Sequence, residues 1–154
     1  MLKRVKQGRQ RNGGGTFAVV ASKYNSRFVD PMLRAAQAEL KQAGAKEVRV
    51  VRVPGAYEIP VVASRLAGGR KFSAVICLGV ILRGETTHAA HIGEAVSRAL
   101  MDIQLAHGVP VIHEVLLLEN EQQAKVRCLD PKHNRGREAA QTALEMAHVM
   151  AGLE

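Results

Sequence analysis

The sequence predicts one α/β domain, a three-layer αβα sandwich whose middle layer is a four-stranded parallel sheet. Three observations predict it. Short apolar, β-branched runs alternate along the chain with longer segments whose apolar residues recur at helical spacing, and strands separated by helices form crossover units. The run FSAVICLGV (72–80) has no polar alternation, which suits a central strand covered on both faces. With 154 residues, 47% of them hydrophobic, the chain has about one domain's length and material for a single core.

Each element can be justified in order. TFAVVAS (16–22) reads as the first strand. After Tyr24-Asn25-Ser26, the apolar residues Phe28, Met32, Leu33, Ala36 and Leu40 fall at helical spacing and the pattern ends at Gly44. Pro31 fits best in the first turn of that helix, where its missing N–H costs nothing. EVRVVRV (47–53) alternates as a strand, Pro54-Gly55 breaks it, and EIPVVASRLAGG is a helix closed by glycines. FSAVICLGV is the third strand. A helix from about residue 88 to 107, the strand VPVIHEVLLL (109–118), a short helix at ENEQQAKVRC and a last helix from about Asn134 to Ala151 complete the chain. No repeat, linker or second domain interrupts residues 16–154.

Charge and cysteine usage narrow the function. The formal charge is +8, but Lys3, Arg4, Lys6, Arg9 and Arg11 lie in the first 12 residues without an acid, leaving +3 for the rest. With Gly13, Gly14 and Gly15 behind them, residues 1–15 read as a flexible basic arm that buries too little surface to offset its ordering entropy. Phosphate attraction by that arm gives one alternative function, a nucleic-acid-binding or shell-forming structural protein, although aromatic-basic interleaving is absent. No run approaches the roughly 18 apolar residues of a membrane span, and no apolar stretch follows the basic start, so a cytoplasmic protein is expected. Cys77 and Cys128 read as reduced, structural thiols.

The residues RGETTH (83–88) follow the central strand, where open α/β sheets present ligands. Gly84 allows a tight turn, the N–H groups of Glu85 and Thr86 begin a helix and point at an anion such as phosphate, and His88, about one turn in, is placed to move protons. Tyr24, the segment Ala56-Tyr57-Glu58 and Arg127 gather at the same rim; an aromatic face, an acid and a guanidinium suit a planar, polyhydroxylated, phosphate-bearing substrate. Plainer roles fit too: a capped helix start with a solvent-facing histidine, a Tyr24 that covers the core, a Glu58 favoured by the helix dipole and a surface Arg127. His88, His91 and Glu94 share a helix face, but no further metal ligand stands at a familiar spacing.

Four ordered motifs, VPGAYEIP (53–60), LGVILRGETTHAAHIGEAV (78–96), PVIHEVLLLENEQQAKVR (110–127) and NRGREAAQTALEMA (134–147), closely resemble the lumazine synthase family over about residues 16–150. The resemblance implies a flavodoxin-like domain that condenses 5-amino-6-(D-ribitylamino)uracil with (2S)-2-hydroxy-3-oxobutyl phosphate. The product is 6,7-dimethyl-8-ribityllumazine, with inorganic phosphate and water released, in riboflavin biosynthesis. It implies no cofactor and no metal. Carried over by motif, His88 resembles the general acid/base, and Arg127 with the Glu85 and Thr86 amides resembles the phosphate grip. Tyr24 matches the ring that stacks on the pyrimidine, Ala56, Tyr57 and Glu58 the ribityl side, and Val80, Ile81 and Leu82 the edge of the uracil. His113 matches a position that the family supplies from the adjacent subunit of a pentamer, and some members assemble pentamers into larger shells.

This chain departs from the family pattern at four places. Tyr24 stands where Phe or Trp is frequent, His113 where Phe is common, and Ala89-Ala90 where an aromatic and an acid follow the histidine. In CLDPKHNRG, Pro131 or Lys132 stands where the family usually carries a lysine.

Overall fold

Most backbone of the predicted strands and helices forms as expected in the computed structural model, which describes residues 14–154. The elements are β1 (Thr16–Ser22), α1 (Ser26–Gln42), β2 (Glu47–Val53), a 3-10 turn (Ala56–Glu58), α2 (Ile59–Gly68), β3 (Ala74–Leu82), α3 (His88–His107), β4 (Val111–Leu118), α4 (Glu121–Cys128) and α5 (Arg135–Ala151). The four strands are all parallel and lie in the order β2-β1-β3-β4, in the flavodoxin-like manner. Of the arm expected over residues 1–15, residues 1–13 lie outside the described residues. Gly14 and Gly15 are held by two 2.9 Å backbone bonds, Gly14 N–H to the Gly44 carbonyl and Lys46 N–H to the Gly15 carbonyl.

Successive strand residues point to opposite faces, and both faces here are apolar. Phe17, Val19 and Ala21 join Ile76, Leu78 and Val80 under α1 and α5, against Met32, Leu40, Ala139 and Ala143. Ala18 and Val20 join Val75 and Cys77 under α2 and α3, against Ile59, Leu66, Val96 and Leu100. Each Val, Leu, Ile or Met among them stabilises the fold by about 1.5–3 kcal/mol when fully buried, so the aromatic-poor composition still supplies two cores. Cys77 belongs to the second core; burial pushes its thiol up to about 12, which makes it inert at neutral pH.

One local detail differs from the expectation. Pro31 is the sixth residue of α1, not part of its first turn. The helix starts earlier because Asn25 adopts the left-handed conformation (φ 58°) and its carbonyl takes the N–H groups of Phe28 and Val29. Pro31 then forfeits one bond, the one an N–H would make to the Arg27 carbonyl. At the start of α5, a Cβ on Gly136 would collide with the Met32 carbonyl, so only glycine lets α5 lie this close to α1. Asn134 fixes the same junction: its Oδ1 accepts from Gly136 N–H at 2.8 Å and Arg137 N–H at 3.2 Å, and its Nδ2 donates to the Cys128 carbonyl at 2.9 Å.

The strand order places the site. From β1 the chain goes out to β2 on one side, and from β3 to β4 on the other, so the connections diverge between β1 and β3. A crevice opens beyond the carboxyl ends of strands at such a switch point.

Candidate active site

The first wall of the crevice is the turn after β1. Lys23 N–H donates to the Val53 carbonyl at 2.7 Å and Tyr24 N–H to the Pro54 carbonyl at 2.9 Å, which ties the turn to β2. On the other side the Asn25 side-chain amide donates to the Val80 carbonyl at 2.7 Å, which ties it to β3. Asn25 suits this post because it tolerates positive φ and carries a short donor. Tyr24, its backbone held by β2, is 73% exposed and is not a cover for the core. Arg52 braces the base of the turn, donating to the Ala21 and Ser22 carbonyls and pairing with Asp30 at 2.7 Å.

The second wall is the 3-10 turn Ala56–Glu58. The Glu58 carboxylate reaches back to accept the Gly55 N–H at 3.2 Å, so in the free chain it caps its own turn as a first-turn acid does. Tyr57 is 67% exposed beside it.

The floor is the end of β3, with Val80 and Ile81 buried and Leu82 half-buried. Beyond it, Arg83 is engaged at the rim: its N–H donates to the Leu118 carbonyl at 2.8 Å and its guanidinium pairs with Glu119 at 2.9 Å. The segment Glu85-Thr86-Thr87-His88 is exposed. The helix begins at His88, so Glu85 and Thr86 lie in the turn ahead of it and His88 is the first helical residue, not one turn in. Thr86 does the capping, its hydroxyl oxygen accepting the His88 N–H at 3.3 Å. Gly84 has ordinary backbone angles and a Cβ there would meet nothing within 4 Å, so the turn itself does not require glycine. What remains is open space in front of the positive end of a 20-residue helix, favourable to an anion.

The third group lies on β4, on its two faces. His113 faces α3: its Nδ1 accepts the Val115 N–H at 3.1 Å and its Nε2 is 2.8 Å from the Ser97 hydroxyl. Burial lowers its pKa. Glu114 faces α4 and α5, where burial pushes its pKa up to about 7 despite the attraction of Arg135 and Arg127; Glu138 pushes the same way. Arg127, half-buried in the last turn of α4, belongs to this charged group, and Arg135 pairs with Glu138 at 3.0 Å. Cys128 is buried, and burial with the nearby Glu114 raises its thiol to about 11 against the pull of Arg127, so it stays a packing residue.

The fold thus puts Tyr24, Ala56, Tyr57, Glu58, Val80, Ile81, Leu82, Glu85, Thr86 and His88 at or just beyond the carboxyl ends of β1, β2 and β3, and places His113 on β4 and Arg127 on α4. No hydrogen bond or ion pair among the described residues joins the second group to loop 83–87. His113 lies five residues before the end of β4, about 16 Å from the rim at strand spacing. Its partner Ser97 is nine residues along α3 from His88, about 13 Å at helical rise. Among the described residues no three His, Cys, Asp or Glu side chains are grouped as a metal ion needs, and no helix is long and apolar enough to cross a membrane. Sequence reading assigned no role to Asn25, Ser97 or Glu114; only Glu114, an acid inside an apolar strand, carried a visible signal.

A family model described as 6,7-dimethyl-8-ribityllumazine synthase matches residues 14–151. A protein of that name from Stenotrophomonas maltophilia (strain R551-3) is 39% identical over 139 residues, covering 89% of this chain and 90% of the relative. Proteins of the same name from Xanthomonas campestris pv. campestris (strain B100) and Xanthomonas oryzae pv. oryzae (strain PXO99A) are each 40% identical over 136 residues, covering 87% of this chain and 88% of theirs. The match spans both walls, the floor, the His88 turn and the β4 group together, and the chain belongs to the 6,7-dimethyl-8-ribityllumazine synthase family.

Proposed function

We propose that the chain condenses 5-amino-6-(D-ribitylamino)uracil with (2S)-2-hydroxy-3-oxobutyl phosphate to give 6,7-dimethyl-8-ribityllumazine, phosphate and water, as a transferase of riboflavin biosynthesis. An amine attacks the ketone, phosphate departs and the ring closes with loss of water. These steps are proton transfers and departure of an anion, and they need positioned groups, not redox chemistry. The observation that carries the reading is the rim itself: an exposed aromatic, an acid-bearing turn, an apolar floor and an open helix N-terminus with a histidine, held together across the switch point by Asn25 and Val80.

In this reading Tyr24 stacks on the pyrimidine over Val80, Ile81 and Leu82, Ala56, Tyr57 and Glu58 hold the ribityl chain, and His88 moves protons. The Glu85 and Thr86 amides and Arg127 hold the phosphate. Separation of about 13 Å or more along one chain supports supply of His113 by an adjacent subunit, in a homo-pentamer or a multiple of pentamers. The catalytic unit is residues 16–154, with residues 1–15 an appended basic arm. A cytoplasmic location is part of the same proposal, supported by two free, buried cysteines. Nucleic-acid binding rests on the arm alone, and deletion of residues 1–12 should leave catalysis intact.

Incubation with both substrates, followed by lumazine absorbance beside a mass measurement of the intact particle, tests activity and assembly together. The shared site has its own test. Refolding the impaired His88→Ala chain with an impaired His113→Asp chain should give more activity than the two parents together, because some interfaces then pair an intact His88 with a neighbour's intact His113. Confirmed mixed rings without recovery would place both residues in one chain's site.

A further inference from the structure

His113 is the second histidine of the proposed site, and its hydrogen bonds decide what it does there. The Val115 N–H is a donor only, so the Nδ1 it points at, 3.1 Å away, must be unprotonated. A neutral ring then carries its proton on Nε2, which lies 2.8 Å from the Ser97 hydroxyl oxygen. That hydroxyl donates its own proton to the Gly93 carbonyl, also at 2.8 Å, and is left to accept. Amide to ring, ring to hydroxyl and hydroxyl to carbonyl form one consistent chain, and only the neutral Nε2–H tautomer satisfies all three links. Protonating Nδ1 would set two N–H groups head to head.

Resting on the shared-site reading, we propose that His113 serves the neighbouring subunit's pyrimidine site as an uncharged aromatic wall, not as a proton carrier, and that Ser97 is the positioning residue that locks its plane and tautomer. A proton carrier needs a ring nitrogen free to reach the substrate, and here both are committed within the subunit. What the ring still offers outward is its face, since the residue remains exposed in the single chain. An imidazole face held rigidly can stack on a planar heterocycle, and loss of the hydroxyl that holds it loosens the stack without touching His88. Desolvation of the part of the ring packed against α3 lowers the pKa of His113, in the same direction as the geometry.

The test uses the assembled enzyme. His113→Ala should raise the KM for the pyrimidine about tenfold or more, the usual scale of a lost stacking partner, with a smaller effect on kcat. His113→Phe, a flat ring without nitrogens, should recover most of that loss. Ser97→Ala should raise the same KM about threefold with kcat moved less, and Ser97→Thr, which keeps the hydroxyl, should restore it. Nitrogen-15 spectra of the histidine rings should show His113 as the neutral Nε2–H tautomer at pH 7 in the wild type and as a mixture in Ser97→Ala. A His113→Phe enzyme whose KM for the pyrimidine stays as high as that of His113→Ala, a His113→Ala loss that falls on kcat and not on KM, or a wild-type His113 that is cationic or Nδ1-protonated, overturns the wall. An unchanged KM and tautomer in Ser97→Ala overturns the positioning role. The spectra apply even if a variant fails to assemble, and failure of subunit mixing would strike the shared site while leaving the tautomer result to stand by itself.

Discussion

The layer formed by α3 and β4 carries two histidines of the proposed site, under opposite regimes. At the rim, His88 has only its backbone N–H engaged, by Thr86, and its ring has no hydrogen bond among the described residues. In the middle of β4, both nitrogens of His113 are tied. A group that moves protons must be able to change charge, whereas a ring in a matched chain of bonds cannot do so without breaking one, at about 0.5–1.5 kcal/mol each. Free groups therefore belong beyond the strand ends, where loops are not committed to ladders, and fixed surfaces belong on the strands. On the proposed reading, proton transfer falls to the free ring at the rim and shape to the fixed ring on β4.

The largest effect expected from breaking this comparison is at His88. His88→Ala should lower turnover by about 10- to 1000-fold, since general acid/base assistance is lost while the floor and phosphate turn remain. Turnover held at the wild-type level from pH 6 to 8 would mean that the free ring at the rim is a bystander. A smaller, more selective effect is expected on the β4 side at Arg127. Arg127→Ala should raise the KM for the four-carbon phosphate by about 10- to 100-fold and leave that for the pyrimidine nearly untouched, as loss of a charge-assisted contact does. Equal losses for both substrates would point to disturbed packing around α4 and Glu114 instead.

The rim was more legible in the sequence than the β4 half, for a physical reason. Strands and helices announce themselves through local period, and RGETTH was visible because a polar turn interrupts an apolar run where a strand must end. Errors were local: the helix starts at Ser26 and not near Pro31 because Asn25 enters the left-handed region, a choice no periodicity records. Asn25 itself stayed unread because its partner, the Val80 carbonyl, is 55 residues away. Ser97 and His113 pair across a helix and a strand, and each alone looks like an ordinary polar residue on a surface element. Glu114 was conspicuous as a charge in VIHEVLLL, but its environment comes from Arg127, Arg135 and Glu138 on two later helices.

Glu114 also offers the gentlest test, because it adjoins His113 on the other face of β4 and burial pushes both toward neutrality. For His113 the folded pKa lies below the ordinary 6.5, so the unfolded chain takes up the proton first and stability is lost as pH falls through and below that value. For Glu114 the folded value is about 7 against an ordinary 4.5, so the folded chain keeps a proton that the unfolded chain has released. Its contribution is present below about 4.5 and is lost as pH rises through about 7. Glu114→Gln keeps the shape and removes the ionisation. It should flatten this alkaline loss and leave the protein more stable than wild type at pH 8 by on the order of 2 kcal/mol, with little difference at pH 4. Denaturant unfolding of both proteins at pH 4, 6 and 8 measures it. If the two curves run parallel across that range, Glu114 ionises as it would in water, and the face of β4 toward α5 is not the desolvated counterpart of the His113 face.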